Sequence, residues 1–254
     1  MIKIGGLQKL TLIDYPGHLA ATIFLTGCNF RCPWCYSAEL VLPEKIKKQL
    51  HPVRKNFSNG AGISEKELLK FLKERKKLID GVVLCGGEPV ISKGLTPFIK
   101  KIKKMGFFVK LDTNGSNPEI LKKLIDKKLV DYIAMDIKAP FGAKSQISKF
   151  KSQSYEKATG VKINLEKIKK SVEIIKNSGI DYEFRTTVVP GIHIKEDILQ
   201  IAREISPAKR YYLQNFRPEK TIDPKFEKIK PYPQEYLLEI QKTISPFFEI
   251  CQVR

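Results

Sequence analysis

The stretch GCNFRCPWCY, residues 27–36, places Cys28, Cys32 and Cys35 in one short loop directly after an apolar run at residues 19–26. The spacing is C-x3-C-x2-C, and three thiolates held this closely can each bind one iron of a cubane cluster. The fourth iron then has no nearby protein ligand and stays open to a substrate. On spacing alone, a zinc site and a redox-active or structural thiol cluster remain open, although zinc normally has four ligands.

Strand-like apolar runs and amphipathic helical segments alternate along the chain around this loop. Six runs are typical of strands, at residues 19–26, 81–84, 107–111, 132–135, 182–188 and 211–214. Apolar spacing predicts helices at residues 65–79, 95–105, 118–127, 165–177, 196–204 and 234–243. Ser64 is the expected N-cap of the first helix, with Glu67 completing a capping box. Six βα units favour an α/β fold with a parallel sheet, and because a closed barrel needs eight, we expect an open partial (β/α)6 TIM-like barrel.

The domain organisation that we predict is a single domain over residues 1–254. Its core runs from about residue 18 to about residue 218, with a surface excursion at 43–63 that is rich in proline and glycine. Residues 140–163 are expected to be irregular, and residues 219–254 to form a C-terminal helix followed by a short apolar tail at 247–253.

Composition excludes several classes of protein. No apolar stretch is long enough to span a membrane, and the N-terminus has no secretion signal, so we expect a cytoplasmic protein. An odd count of five cysteines argues against a disulfide framework. The net charge of +19 comes mostly from lysines in helical segments rather than from arginines suited to reading bases, so we expect no nucleic acid partner. Either a solvated lysine-coated face or a surface for a protein partner explains the charge.

Polar clusters follow three of the predicted strands. They are GGEP at residues 86–89, DTNG at residues 112–115 and MDIK at residues 135–138. Because parallel strands place their carboxyl ends at one edge, where α/β proteins build their sites, we expect these clusters to belong to the functional site.

The cysteine loop, with Trp34 before its third cysteine, resembles the signature of the radical S-adenosylmethionine (SAM) superfamily. GGEP resembles the second motif of that superfamily, which binds the methionyl amino group of SAM. Within the superfamily, GLQKLTLIDYPG at residues 6–17 and EFRTTVVP at residues 183–190 resemble anaerobic ribonucleoside-triphosphate reductase activating proteins. DTNG and MDIK are similar to segments of the pyruvate formate-lyase activating enzyme. The resemblance covers about residues 4–218, without most of 43–63.

This resemblance implies a radical SAM fold and a glycyl radical activating enzyme. Cys28, Cys32 and Cys35 would hold a [4Fe–4S] cluster, and SAM would chelate the fourth iron. An electron from flavodoxin or ferredoxin would cleave SAM to methionine and a 5′-deoxyadenosyl radical. That radical would take a hydrogen atom from a glycine of the partner, for which anaerobic ribonucleotide reductase is the expected enzyme.

The resemblance also implies which residues contact SAM, and each has a structural alternative. Lys138 and Arg185 are expected to hold carboxylates or ribose, or else to form a structural salt bridge. A tight turn is the alternative for the glycine pair, and capping is the alternative for Glu88, Asp112 and Asn114. The expected cofactor-binding residues are Tyr36, Gly86, Gly87, Glu88, Asp112, Asn114, Asp136, Lys138, Arg185 and Gln214. A monovalent cation near the SAM carboxylate is expected at Asp112, Thr113, Met135 and Asp136.

Beside an activase for anaerobic ribonucleotide reductase, a non-enzymatic iron–sulfur or zinc protein remains open, and so do two other enzymatic functions. One is a radical SAM enzyme for a small molecule, with a reaction like that of 7-carboxy-7-deazaguanine synthase. The other is an activase for another glycyl radical enzyme, such as pyruvate formate-lyase. Cys85 and Cys251 are the only cysteines outside the loop, so an auxiliary cluster is not expected, and both are expected to be small buried side chains. The lack of an appended substrate domain favours a protein partner.

Overall fold

The computed structural model describes residues 2–42, 63–142 and 155–254. The predicted surface excursion lies outside these residues except for Ile63. In the described part, the strands are β1 Ile4–Thr11, β2 Ala20–Leu25, β3 Gly81–Gly86, β4 Phe108–Thr113, β5 Tyr132–Asp136, β6 Asp181–Val188, β7 Ala208–Asn215 and β8 Phe248–Val253. The helices are α1 Ala38–Val41, α2 Glu65–Arg75, α3 Leu95–Lys104, α4 Pro118–Asp126, α5 Tyr155–Thr159, α6 Leu165–Lys176, α7 Lys195–Ile205 and α8 Gln234–Ile244.

The strands form an eight-stranded sheet in which they follow chain order. All six predicted strands are present, as β2 to β7, and the α/β fold class is confirmed. Two strands were not predicted. β1 pairs antiparallel with β2, and β8 pairs parallel with β7, where the sequence predicted only an apolar tail. Among the described residues, no helix has the length and apolar character needed to cross a membrane.

The described chain divides into two compact units. The first comprises Met1–Asn29, Ser37–Thr113 and Glu119–Ile133. Its centre is formed by the parallel strands β2 and β3, in which Ile23, Leu25, Val82 and Leu84 are fully buried. Helix α2 begins as predicted, because the Ser64 side chain accepts from the Glu67 N–H at 3.2 Å and the Glu67 carboxylate accepts from the Ser64 N–H at 2.9 Å. β2 and β3 pair through Leu25 and Gly86, which brings their carboxyl ends together.

The second unit comprises Phe30–Tyr36, Asn114–Pro118 and Ala134–Arg254. Its parallel strands β6, β7 and β8 carry the buried side chains of Phe184, Tyr211 and Leu213. Helix α5 was not expected, because residues 140–163 were predicted to be irregular. Residues 143–154 of that stretch lie outside the described part of the chain. Tyr155 and Ala158 of α5 are buried, so packing stabilises a helix too short to be recognised by its periodicity.

Candidate functional site

The carboxyl end of β3 lies against the start of the cysteine loop in the first unit. The Gly87 N–H donates to the Leu25 carbonyl, and the Glu88 N–H donates to the Gly27 carbonyl, both at 2.8 Å. A Cβ on Gly87 would overlap the Gly27 carbonyl oxygen, and one on Gly86 would lie 2.6 Å from the Leu25 backbone. Gly86 also has a φ of +108°, which only glycine adopts readily. The close approach of two backbone segments therefore requires both glycines, and contact between these glycines and SAM stays a prediction.

Glu88 is 1% exposed and joins the ends of β3 and β4. Its Oε1 accepts from the Val90 N–H at 3.2 Å, which caps a short 3₁₀ helix at Pro89–Ile91. The same oxygen accepts from the Thr113 hydroxyl at 2.7 Å. The capping role that the sequence left open is therefore present, and contact between Glu88 and SAM stays a prediction.

A buried lysine, Lys110, accompanies Asp112 at the end of β4. Its side chain is 2% exposed, and its Nζ lies 2.5 Å from Asp112 Oδ1 and 5.8 Å from the Tyr132 ring centroid. Lys110 was not among the predicted site residues. The signal was a lone charged residue inside the apolar run FVKLD, two residues before the strand-end aspartate. A monovalent cation was expected beside Asp112. In the structure, the ammonium of Lys110 offsets the negative charge of Asp112.

The turn after β4 contains Asn114, which is 5% exposed and belongs to the second unit. Its Oδ1 accepts from the Ser116 N–H at 3.0 Å, so the capping alternative is present here as well. A Cβ on Gly115 would overlap the Met135 side chain, which is fully buried. The Ser171 hydroxyl donates to the Gly115 carbonyl at 2.7 Å and holds this turn on α6.

Asp136, Lys138 and Arg185 form one ion-pair cluster in the second unit. Lys138 Nζ lies 2.9 Å from Asp136 Oδ2, and Arg185 Nε donates to Asp136 Oδ1 at 2.8 Å. Arg185 Nη1 also lies 3.7 Å from the carboxylate of Glu183, which is fully buried and was not predicted as a site residue. The structural salt bridge that the sequence left open for Lys138 and Arg185 is therefore present.

The charges of this cluster are maintained despite its burial. Burial by itself would raise the pKa of Asp136, but Arg185 and then Lys138 outweigh it and hold that pKa well below its usual range. Burial would likewise lower the pKa of Lys138. The carboxylate of Asp136, followed by the Cys32 thiolate, reverses that effect and raises it. At neutral pH, Asp136 is therefore a carboxylate and Lys138 an ammonium.

The cysteine loop is anchored on α5. The buried Trp34 donates from Nε1 to the Ala158 carbonyl at 3.2 Å, and the Arg31 N–H donates to the Thr159 carbonyl at 2.8 Å. Within the loop, the Cys35 N–H donates to the Cys32 carbonyl at 3.0 Å and forms a turn. These hydrogen bonds fix the backbone conformation of the loop at Cys32 and Cys35.

A segment of the C-terminal region also holds the loop. The Ile222 N–H donates to the Cys35 carbonyl at 3.1 Å, and the Asp223 N–H donates to the Pro33 carbonyl at 2.9 Å. No function was predicted for the C-terminal residues. The structure assigns this part of them a role in holding the cysteine loop.

The three loop cysteines supply a donor set that fits an iron–sulfur cluster. Cys28 and Cys35 are half-buried, Cys32 is buried, and the structure has no disulfide among the described residues. In the described ranges, no three His, Cys, Asp or Glu side chains converge on a single metal ion. A cubane does not need such convergence, because each thiolate binds a different iron. Negative charge at Cys32 and Cys35 contributes, after that of Asp136, to raising the pKa of Lys138.

His193 is a buried histidine that links two strand ends of the second unit. Its Nδ1 accepts from the Val189 N–H at 3.1 Å, so Nε2 carries the proton and donates to the Lys138 carbonyl at 2.8 Å. Burial lowers the pKa of His193 to about 4, although the bond to the Lys138 carbonyl opposes this. His193 therefore positions the Lys138 backbone as a neutral imidazole.

Protonation of His193 should destabilise the protein as the pH falls. The unfolded chain takes up this proton near pH 6.5 and the folded chain only near pH 4. The free energy of unfolding should therefore be highest above pH 6.5 and decline by up to about 3 kcal/mol toward pH 4. Urea denaturation of the wild type and His193→Gln across this range measures the effect. Equal pH dependence in both proteins would contradict it.

Four other predicted residues have simpler surroundings. Tyr36 is 64% exposed, and its contact with a cofactor stays a prediction. Gln214 is half-buried near the end of β7, in register with Thr187 of β6. Cys85 is half-buried and packs against an apolar cluster, and burial raises the pKa of the Cys251 thiol to about 11.

Comparison with known proteins identifies the family. The model of the radical SAM superfamily matches residues 22–205. A protein of Methanocaldococcus jannaschii, named as a candidate glycyl-radical enzyme activating enzyme, is 32% identical over 99% of this chain and 95% of its own length. A 7-carboxy-7-deazaguanine synthase of Koribacter versatilis is 30% identical, but only over 45% of this chain and 46% of its own.

Solved structures support the same fold. QueE from Escherichia coli has a TM-score of 0.57 at 16% identity and is matched over 100% of this chain and 94% of its own. Streptococcus suis SuiB bound to S-adenosylmethionine has a TM-score of 0.62 at 12% identity, over 89% of this chain and 48% of SuiB. With the family model and the fold in agreement, this chain belongs to the radical SAM superfamily, whose enzymes use a [4Fe–4S] cluster and SAM.

Proposed function

We propose that this enzyme activates a glycyl radical enzyme, and that its partner is an anaerobic ribonucleoside-triphosphate reductase. The observation that carries the activase assignment is the 32% identity to the Methanocaldococcus jannaschii protein over 99% of this chain. The choice of partner is supported by the motifs at residues 6–17 and 183–190. We further propose that residues 1–254 act as a single radical SAM domain, because the family match at 22–205 includes residues of both compact units.

Cys28, Cys32 and Cys35 are the proposed cluster ligands. When bound, the cluster supplies the electron that cleaves SAM to methionine and a 5′-deoxyadenosyl radical, which abstracts a hydrogen atom from the partner's glycine. The role of the protein chain is to hold the cysteine loop in position. Hydrogen bonds from Trp34 and the loop backbone to α5 hold it, and so do the backbone hydrogen bonds from residues 222–223.

The strand-end side chains are the proposed SAM-binding residues. Arg185 and Lys138 are the cationic members, and their hydrogen bonds to Asp136 hold both side chains in place for an anionic ligand. The other members of the set, as the sequence predicted, are Tyr36, Gly86, Gly87, Glu88, Asp112, Asn114, Asp136 and Gln214. A monovalent cation site is proposed at Asp112, Thr113, Met135 and Asp136, where lysine and arginine side chains already pair with both aspartates.

The proposed electron donor is flavodoxin or ferredoxin in the cytoplasm. The net charge of +19 supports such a partner, because a basic surface attracts proteins of opposite charge and speeds their encounter.

The test is anaerobic electron paramagnetic resonance on the reconstituted, reduced protein mixed with SAM and the host's anaerobic ribonucleotide reductase. We expect a glycyl radical doublet that is absent with Cys32→Ala. If 5′-deoxyadenosine forms without a doublet, this partner is wrong, and pyruvate formate-lyase is the next one to test. If no glycyl radical enzyme responds, a small-molecule reaction like that of the partial 7-carboxy-7-deazaguanine synthase relatives replaces the activase proposal.

A further inference from the structure

Lys138 brings a positive charge onto the cysteine loop. Its Nζ lies 4.9 Å from the centroid of the Trp34 ring, and Trp34 stands between Cys32 and Cys35 in the loop. The Lys138 side chain is only 13% exposed, so water screens its charge weakly. The ammonium is therefore a poorly screened positive charge against the loop that carries both cysteines.

The position of this ammonium is fixed from several directions. Its Nζ is held by Asp136 at 2.9 Å, and Asp136 is held in turn by Arg185 at 2.8 Å. The Lys138 backbone is held as well, because its N–H donates to the Tyr155 hydroxyl at 3.2 Å and its carbonyl accepts from His193 Nε2 at 2.8 Å. A single salt bridge would not require so many hydrogen bonds. Together they keep the Lys138 ammonium beside the cysteine loop.

We infer that Lys138 raises the reduction potential of the [4Fe–4S] cluster bound by the loop cysteines. Reduction adds one negative charge to a centre that three thiolates already make anionic, and a nearby ammonium stabilises the more negative state. This effect is separate from any contact between Lys138 and SAM, because it acts on the cluster before SAM binds. The inference rests on the proposed cluster assignment to Cys28, Cys32 and Cys35.

The test is a redox titration of the reconstituted cluster, followed by electron paramagnetic resonance, without SAM or partner. Lys138→Met removes the charge but leaves Asp136 paired with Arg185. We expect its reduction equilibrium constant to fall at least tenfold, a shift of about 59 mV to more negative potential for one electron. Lys138→Arg, which keeps the charge, should stay near the wild-type midpoint.

Lys157→Met is the matched control, because it removes the same charge from an exposed position on α5. Its midpoint should equal that of the wild type. An unchanged midpoint in Lys138→Met with full iron content would overturn the inference alone. A wild-type protein that binds no iron would overturn the cluster assignment and the inference together. If Lys138→Met binds too little iron to titrate, Lys138→Gln provides the same comparison.

Discussion

The Cys32→Ala variant should lose its iron–sulfur cluster and, with it, all detectable cleavage of SAM. Cys32 is buried, and its carbonyl accepts the turn-forming hydrogen bond from the Cys35 N–H. Two remaining cysteines would leave a second iron without a protein ligand, and a cubane held that loosely is lost. Iron analysis and the amount of 5′-deoxyadenosine formed under reducing conditions measure the effect.

Cys251→Ala is the matched control for this variant. Cys251 is also buried, but it lies in β8, and burial raises the pKa of its thiol to about 11, which disfavours the thiolate that binds iron. This variant should keep its iron and its cleavage activity. If Cys32→Ala retained full cleavage activity, or if Cys251→Ala lost its iron, the cluster would have been assigned to the wrong cysteines.

The Gly87→Ala variant should lose about 3 kcal/mol or more of unfolding free energy. The added Cβ would overlap the Gly27 carbonyl, which accepts the hydrogen bond from the Glu88 N–H. To relieve this overlap, the end of β3 must move away from the backbone that leads into the cysteine loop. We therefore expect lower iron content as well as a lower midpoint in urea denaturation.

Gly179→Ala is the control that separates the effect of steric overlap on stability from the effect of backbone strain. Gly179 has a φ of +75° and no atom within 4 Å of the position of an added Cβ. This variant should cost only about 1 kcal/mol, from the strained conformation, and should keep its iron. Equal stability of the two variants would contradict the close approach seen at Gly87.

The strands and helices could be predicted where apolar residues recur at a regular spacing along the sequence. β2 to β7 are buried runs separated by amphipathic helices, and the Ser64 capping box has a local signature. β1 and β8 were missed because several of their residues are exposed, so neither strand shows a continuous apolar run. Their pairing depends on neighbouring strands, which a local pattern does not encode.

The residues of the candidate site could be proposed from the sequence, but their contacts could not be predicted. Cysteine spacing and strand ends pointed to the loop cysteines and the polar clusters, because those signals are local. The pairing of Lys110 with Asp112, and of Arg185 with Asp136, depends on which side chains the folded strands bring together. The reason for Gly87 was also missed, since its neighbour Gly27 is distant in sequence.

Isotope transfer from the partner's glycine tests the activase account most directly. Anaerobic ribonucleotide reductase would be prepared with glycine deuterated at Cα and mixed anaerobically with the reduced, cluster-loaded protein and SAM. The account predicts deuterium in the 5′-deoxyadenosine, formed together with the glycyl radical. 5′-Deoxyadenosine that forms at the same rate but carries no deuterium would show that the hydrogen atom comes from elsewhere, and would contradict the account.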